Sequence, residues 1–112
     1  MTEKKLVYVA GPYRSKDQWG VAANIQIAER HSMYLIRQGY AVFTPHKNTA
    51  HYEYYEDGET ITWETWLEID MCVLKRCDII YMIPGWEKSR GSVAELEEAK
   101  RLGLEIIYGQ EM

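Results

Sequence analysis

"DIIYMIPGWEKSRGSVAELEEAKRLGLEIIY" (78–108) is the stretch whose reading decides the fold. Residues 78–83 are β-branched and apolar without the alternation of a half-exposed strand, and Pro84-Gly85 ends them, so they read as a central strand buried on both faces. A small polar turn follows. From 92 to 102 the period changes: Leu96, Ala99, Leu102 and Gly103 share one side of a helical wheel, with Glu97, Glu98, Lys100 and Arg101 on the other. "EIIY" (105–108) then reads as another strand.

The same alternation extends outward. "LVYVA" (6–10) reads as a buried strand with a tight exit at Gly11-Pro12. Helical spacing puts Val21, Ile25, Ala28, Leu35 and Ile36 on one face of a helix over 21–37, stopped by Gly39. "YAVFT" (40–44) reads as a strand closed by Pro45, and residues 60–76 as a helix. Residues 46–59 show neither period and read as a long loop, of a length that tends to be functional or disordered. Alternating strands and helices with near-continuous apolar strands imply an α/β protein: a doubly wound, Rossmann-like or flavodoxin-like parallel sheet in one small domain spanning 1–112. Ligands bind such sheets at the carboxyl ends of the strands, which directs attention to "GPYRS" (11–15), "PHKNTAHYEYY" (45–55) and "PGWEKSRGS" (84–92).

A formal net charge of −4 argues against a nucleic-acid binder, whose affinity comes from neutralising phosphates with Lys and Arg. A small anionic ligand remains compatible, because a local cluster overrides the net balance. Cys72 and Cys77 suit reduced thiols packed in a core, and a reducing cytoplasm, better than a disulfide or zinc framework. The N-terminal apolar run is too short for a signal peptide, and no stretch reaches membrane-spanning length.

Two carboxylates lie on the wrong faces. Glu95 falls within the apolar stripe of the helix over 92–102, where it is either a capping group, in a Ser92-x-x-Glu95 box folded back on the Ser92 amide, or a catalytic carboxylate. In the helix before the 78–83 strand, Trp63, Trp66, Leu67, Val73, Leu74 and Cys77 form one stripe with Asp70 at its centre. Such an aspartate is either satisfied by local donors or protonated by desolvation. Read as a pair, an ionised carboxylate and a second one raised in pKa are what glycosidic cleavage through a covalent intermediate requires.

Around them stand further candidates. In the first turn, Gly11 lets the backbone approach a ligand closely and Arg14 suits a phosphate, with Tyr13 between them a candidate substrate contact. The turn lacks the G-x-G-x-x-G fingerprint, and a surface arginine is the plainer alternative. "KSRGS" (88–92), with Ser89 and Gly91, leads into a helix N-terminus, which is an anion site or an ordinary turn. Tyr8 reads as core, and His31 as a satisfied core histidine. His46 and His51, with Asn48, lack the spacing of a metal site, so neither metal nor cofactor is expected. Tyr52, Tyr54, Tyr55, Trp63 and Trp86 suit either base stacking or a subunit contact.

"VYVAGPYRS", "GYAVFTPH", "EIDMCVLKRCDII" and "SRGSVAELEEAKRLGLEIIY" together resemble the nucleoside deoxyribosyltransferase superfamily over nearly the whole chain, and especially its branch of nucleotide N-glycosidases. The most specific features are Asp70 eight residues before Asp78, and Gly91-x-x-x-Glu95. The resemblance implies Glu95 as nucleophile, Asp70 as acid/base partner and Tyr8 as the tyrosine orienting the nucleophile. It further implies Arg14, Ser89 and the amides near Gly91 as phosphate contacts, and His46 as a residue near sugar and base. The implied activity is hydrolysis of a (deoxy)nucleoside monophosphate, with base transfer or non-catalytic nucleotide sensing as alternatives. An interaction domain whose Trp63, Trp66 and Trp86 serve a protein interface is a third. Pro12 stands where relatives have a phosphate-contacting serine, and "ELEEA" where they have glutamate-leucine-glycine. The chain stops after "YGQEM", without the C-terminal elements that complete the site in many relatives, which leaves one pocket wall to a neighbouring subunit of a homo-oligomer or to nothing.

Overall fold

The computed structural model describes residues 3–48 and 61–112. Strands β1 Leu6–Ala10, β2 Ala41–Phe43, β3 Ile79–Met82 and β4 Glu105–Tyr108 form one sheet in the order β2-β1-β3-β4. All three neighbouring pairs run parallel. Helices α1 Gln18–Arg37, α2 Pro45–Asn48, α3 Trp63–Leu74 and α4 Arg90–Leu102 connect them. This is the doubly wound α/β architecture that the alternating pattern implies.

The two-residue period of β1 divides its side chains between two cores. Val7 and Val9 pack with Ala28 and Leu35 of α1. Tyr8 and Ala10 pack on the opposite face with Leu74 at the end of α3 and with Leu96 and Ala99 of α4. Covering both faces is why β1 and β3 are apolar without alternation. It also sends the Tyr8 side chain toward α4.

The chain extends the sheet from β1 to β2 on one side and lays β3 on the other, so the connections leaving β1 and β3 diverge and open a crevice at their carboxyl ends. At the opposite end Asp78 clamps the two strands. Its carboxylate accepts the Leu6 N–H at 2.8 Å and its own N–H donates to the Leu6 carbonyl at 2.9 Å.

Several expectations are corrected. Helix α1 begins at Gln18 because the Asp17 carboxylate accepts from the Gly20 N–H at 2.8 Å and caps it. Its inner face carries Ala28, His31, Ser32 and Leu35, while Ile36 is exposed. The polar members hold their place through partners: His31 Nδ1 lies 2.7 Å from the Tyr81 hydroxyl, and Ser32 donates to the Ala28 carbonyl at 2.7 Å. Residues 46–48, read as the start of a loop, form the helical turn α2 together with Pro45. His51, Tyr52, Tyr54 and Tyr55 lie outside the described residues. Cys77 is buried but Cys72 is exposed, since it is turned about 200° around the helix from the buried Leu74.

Gly11 is where the backbone must pass without a side chain. A Cβ there would meet Ile83 at 2.7 and 2.8 Å, the latter to its branched Cβ, which cannot swing away. Gly11→Ala is expected to cost roughly 1–3 kcal/mol of stability by overpacking. A denaturant midpoint equal to that of the wild type would contradict it.

Candidate active site

Helix α4 begins at Arg90, and its cap is Ser89, whose hydroxyl accepts the Ser92 N–H at 3.2 Å. The Ser92–Glu95 capping box is therefore not formed. Ser92 lies inside the helix, and Glu95 one turn further along, where it has no free amide to cap. Its carboxylate instead turns to the sheet, and Oε2 accepts a hydrogen bond from the Tyr8 hydroxyl. Glu95 is only 6% exposed, and Tyr8 is fully buried.

Asp70 reaches the same cleft from α3. It sits one turn after Trp66 and one turn before the buried Leu74, so the core anchor of α3 aims it at the crevice. The cleft has a volume of about 620 Å³ and is bordered by Asp70, Glu95, Gly11, Tyr13, Arg14 and His46 together with Ser89 and Gly91 of the α4 entry. The catalytic and substrate-contact residues implied by the resemblance thus border one cleft, with Tyr8 beneath as the hydrogen-bond donor to Glu95, whereas Trp86 lies outside its lining. A larger groove of about 810 Å³ lies on the α1 side of the sheet and contains neither Asp70 nor Glu95.

Burial raises both carboxyls. Glu95 is pushed up to about 8 by burial, with the Tyr8 hydroxyl opposing the rise and the charge of Asp70 adding to it. Burial lifts Asp70 to about 6. The half-buried Asp70 loses its proton first, and its charge then holds the proton on the deeper Glu95; the roles that the resemblance implies, Glu95 as nucleophile and Asp70 as acid, need the proton on Asp70 instead. Between about pH 6 and 8 the pair carries one proton and one negative charge.

His46 is buried, with Nε2 2.8 Å from the Pro12 carbonyl. A carbonyl only accepts, so Nε2 carries the hydrogen and Nδ1 is a bare acceptor. Burial lowers its pKa and keeps the ring neutral.

The mouth is cationic. Arg14, Lys88 and Arg90 border it, and the Arg90 guanidinium lies 3.9 Å from the centre of the Trp63 ring. The first turn of α4 holds no acidic residue, so positive side chains stand beside the positive end of a helix dipole with nothing in the turn to offset them. Sequence reasoning named Ser92 only as a helix cap and the basic turn without Arg90, because Arg90 is placed by an indole from another helix. Among the described residues, no three His, Cys, Asp or Glu side chains converge to hold a metal. No described helix is long and apolar enough to cross a membrane.

A family model described as "Domain of unknown function (DUF4406)" matches residues 5–108. No curated protein matches the chain in sequence. Among solved structures, the chain is similar to a CMP N-glycosidase from Clostridium botulinum, with TM-score 0.60 and 19% identity over 93% of this chain and 70% of the other. It is similar to a 2-deoxyribosyltransferase from Bacillus psychrosaccharolyticus, with TM-score 0.63 and 21% identity over 96% and 76%. A third similar structure is a 2-deoxyribosyltransferase from Leishmania mexicana, with TM-score 0.60 and 18% identity over 93% and 63%. At these identities the shared property is the fold.

Proposed function

The chain belongs to the DUF4406 family, and from the chemistry of its cleft we propose that it is an N-glycosidase that hydrolyses the base–sugar bond of a nucleoside monophosphate. The observation that carries this reading is the buried Glu95–Tyr8 pair facing Asp70 across one cleft. The solved structures of the same fold named for nucleotide or nucleoside glycosyl chemistry support it.

With Oε2 engaged by Tyr8, Oε1 of Glu95 is the free oxygen, and it attacks the anomeric carbon. The C1′–N bond breaks through an oxocarbenium-like transition state as Asp70 gives its proton to the departing base. Water then attacks C1′, returns its proton to Asp70 and frees Glu95. The reactive arrangement, Glu95 ionised and Asp70 protonated, has the same proton count as the resting pair. Reaching it takes one proton from Glu95 to Asp70 with no net gain or loss by the pair. Tyr8 holds the nucleophile in line, a positioning effect. His46 offers a neutral acceptor to sugar or base.

The cationic mouth, the Ser89 hydroxyl and the amides near Gly91 suit the 5′-phosphate. Arg14→Ala is expected to raise KM for the monophosphate ~10- to 100-fold and to leave the parent nucleoside unchanged, the worth of one charge-assisted contact. An equal effect on both substrates would remove Arg14 from the phosphate site. The proposal extends to a cytoplasmic enzyme working as a homo-oligomer, with exposed apolar side chains such as Trp19 as the candidate contact surface. Sedimentation of the purified protein tests that.

The deciding experiment is incubation with a panel of ribo- and deoxyribonucleoside monophosphates, with chromatography for free base. No base released from any member would refute the reading. Adding a second free base separates hydrolysis from transfer, since a transferase then yields a new nucleotide.

A further inference from the structure

Among the described residues two buried side-chain atoms lack a hydrogen-bond partner, Nδ1 of His46 and Oγ of Ser92. Both residues border the same cleft. His46 is already accounted for, but Ser92 has no part in the chemistry above.

A buried serine within a helix ordinarily returns its hydroxyl to a carbonyl one turn back. Ser32 of α1 does so here, donating to Ala28 at 2.7 Å and meeting Thr44 Oγ1 at 2.7 Å. Ser92 does not. Its hydroxyl reaches neither the Lys88 nor the Ser89 carbonyl, and α4 begins only at Arg90. Its hydroxyl is left unpaired at 1% exposure, one turn before Glu95 on the same face of α4. An unmade hydrogen bond at such depth destabilises the empty protein and is relieved when a ligand hydroxyl arrives.

We propose that Ser92 recognises the 2′-hydroxyl of the substrate sugar, so that the preferred substrate is a ribonucleotide. This rests on the N-glycosidase reading. Glu95 attacks C1′ from the face opposite the base. In ribose the 2′-hydroxyl projects from that same face on the adjacent carbon, toward the helix that carries Glu95. A deoxyribose presents only hydrogen there and leaves Ser92 unpaired. Depth separates this role from phosphate binding. Ser89 and Arg90 at the mouth are accessible, whereas Ser92 is buried to the level of Glu95, where the sugar must sit.

The test compares kcat/KM for each ribonucleoside monophosphate with its 2′-deoxy counterpart, in wild type and Ser92→Ala. Wild type is expected to favour the ribo substrate ~100-fold, since a site built around a hydroxyl rejects the analogue lacking it. Ser92→Ala is expected to lose ~10-fold or more on the ribo substrate and nothing on the deoxy one, collapsing the ratio. Its melting temperature without substrate should equal or exceed that of the wild type, because an unpaired hydroxyl has been removed. Equal losses on both sugars, a wild-type preference for deoxyribose, or a lowered melting temperature would overturn the proposal. A loss seen only with phosphorylated substrates, whatever the sugar, would reassign Ser92 to the phosphate. If no base is released from any nucleotide, the N-glycosidase reading falls while calorimetric binding of ribose 5-phosphate against 2-deoxyribose 5-phosphate still decides on Ser92. Tighter ribose binding that Ser92→Ala abolishes supports it, and equal binding overturns it.

Discussion

Glu95→Gln is expected to lower base release by at least ~10³-fold, the scale on which loss of a covalent nucleophile is felt, and at pH 8 to melt at a higher temperature than the wild type. The two effects have one cause. The carboxyl sits in a nearly dry position with the Tyr8 hydroxyl as its donor and Asp70 as a nearby charge, so its proton is held up to about 8 against an ordinary 4.5. Across that window the folded protein keeps a proton that the unfolded chain has released. The stability contributed by the neutral carboxyl is therefore complete below about pH 4.5 and lost as pH rises toward 8. A glutamine keeps the shape and the acceptor for Tyr8 but has nothing to ionise. Thermal unfolding of the two proteins should nearly coincide at pH 5 and separate progressively up to pH 8, the variant higher. Activity retained in Glu95→Gln would dispose of the covalent mechanism. Parallel melting curves at all pH values would instead dispose of the buried, uncompensated carboxyl.

Asp70→Asn is the second large effect. The wild type is expected to show a bell-shaped kcat/KM with limbs near pH 6 and 8, the two values belonging to the pair. Below the lower limb both carboxyls are protonated and no nucleophile exists. Above the upper limb neither can protonate the leaving base. Replacing Asp70 by asparagine removes the proton donor and should cost ~10²–10⁴-fold. It also removes the charge that raises Glu95, so the remaining activity should rise with pH to a plateau, with its single limb below 8. An alkaline limb that survives in this variant would mean that another group donates the proton.

Much of this was legible in the chain itself. The change of period between 78–83 and 92–102 is a local property, and repeated along the sequence it dictates a parallel sheet covered on both faces. Asp70 and Glu95 stood out because a charge within an apolar stripe is costly wherever that stripe is buried. The sequence leaves the cap of α4 open because Ser89 and Ser92 are both chemically able to start a helix, and only the path of the chain out of β3 determines which one does.

From sequence alone came the sheet, the connections and two misplaced acids, since each follows from spacing along a few consecutive turns. The meeting of Tyr8 with Glu95 across 87 residues was implied by the resemblance and not by spacing, and only the tertiary structure decided that Glu95 holds its proton longer than Asp70 and that Ser92 is left without a partner. Periodicity depends on neighbours along the chain. Protonation and hydrogen bonding depend on depth and on whatever distant segment packs alongside, and those are properties of the assembled core.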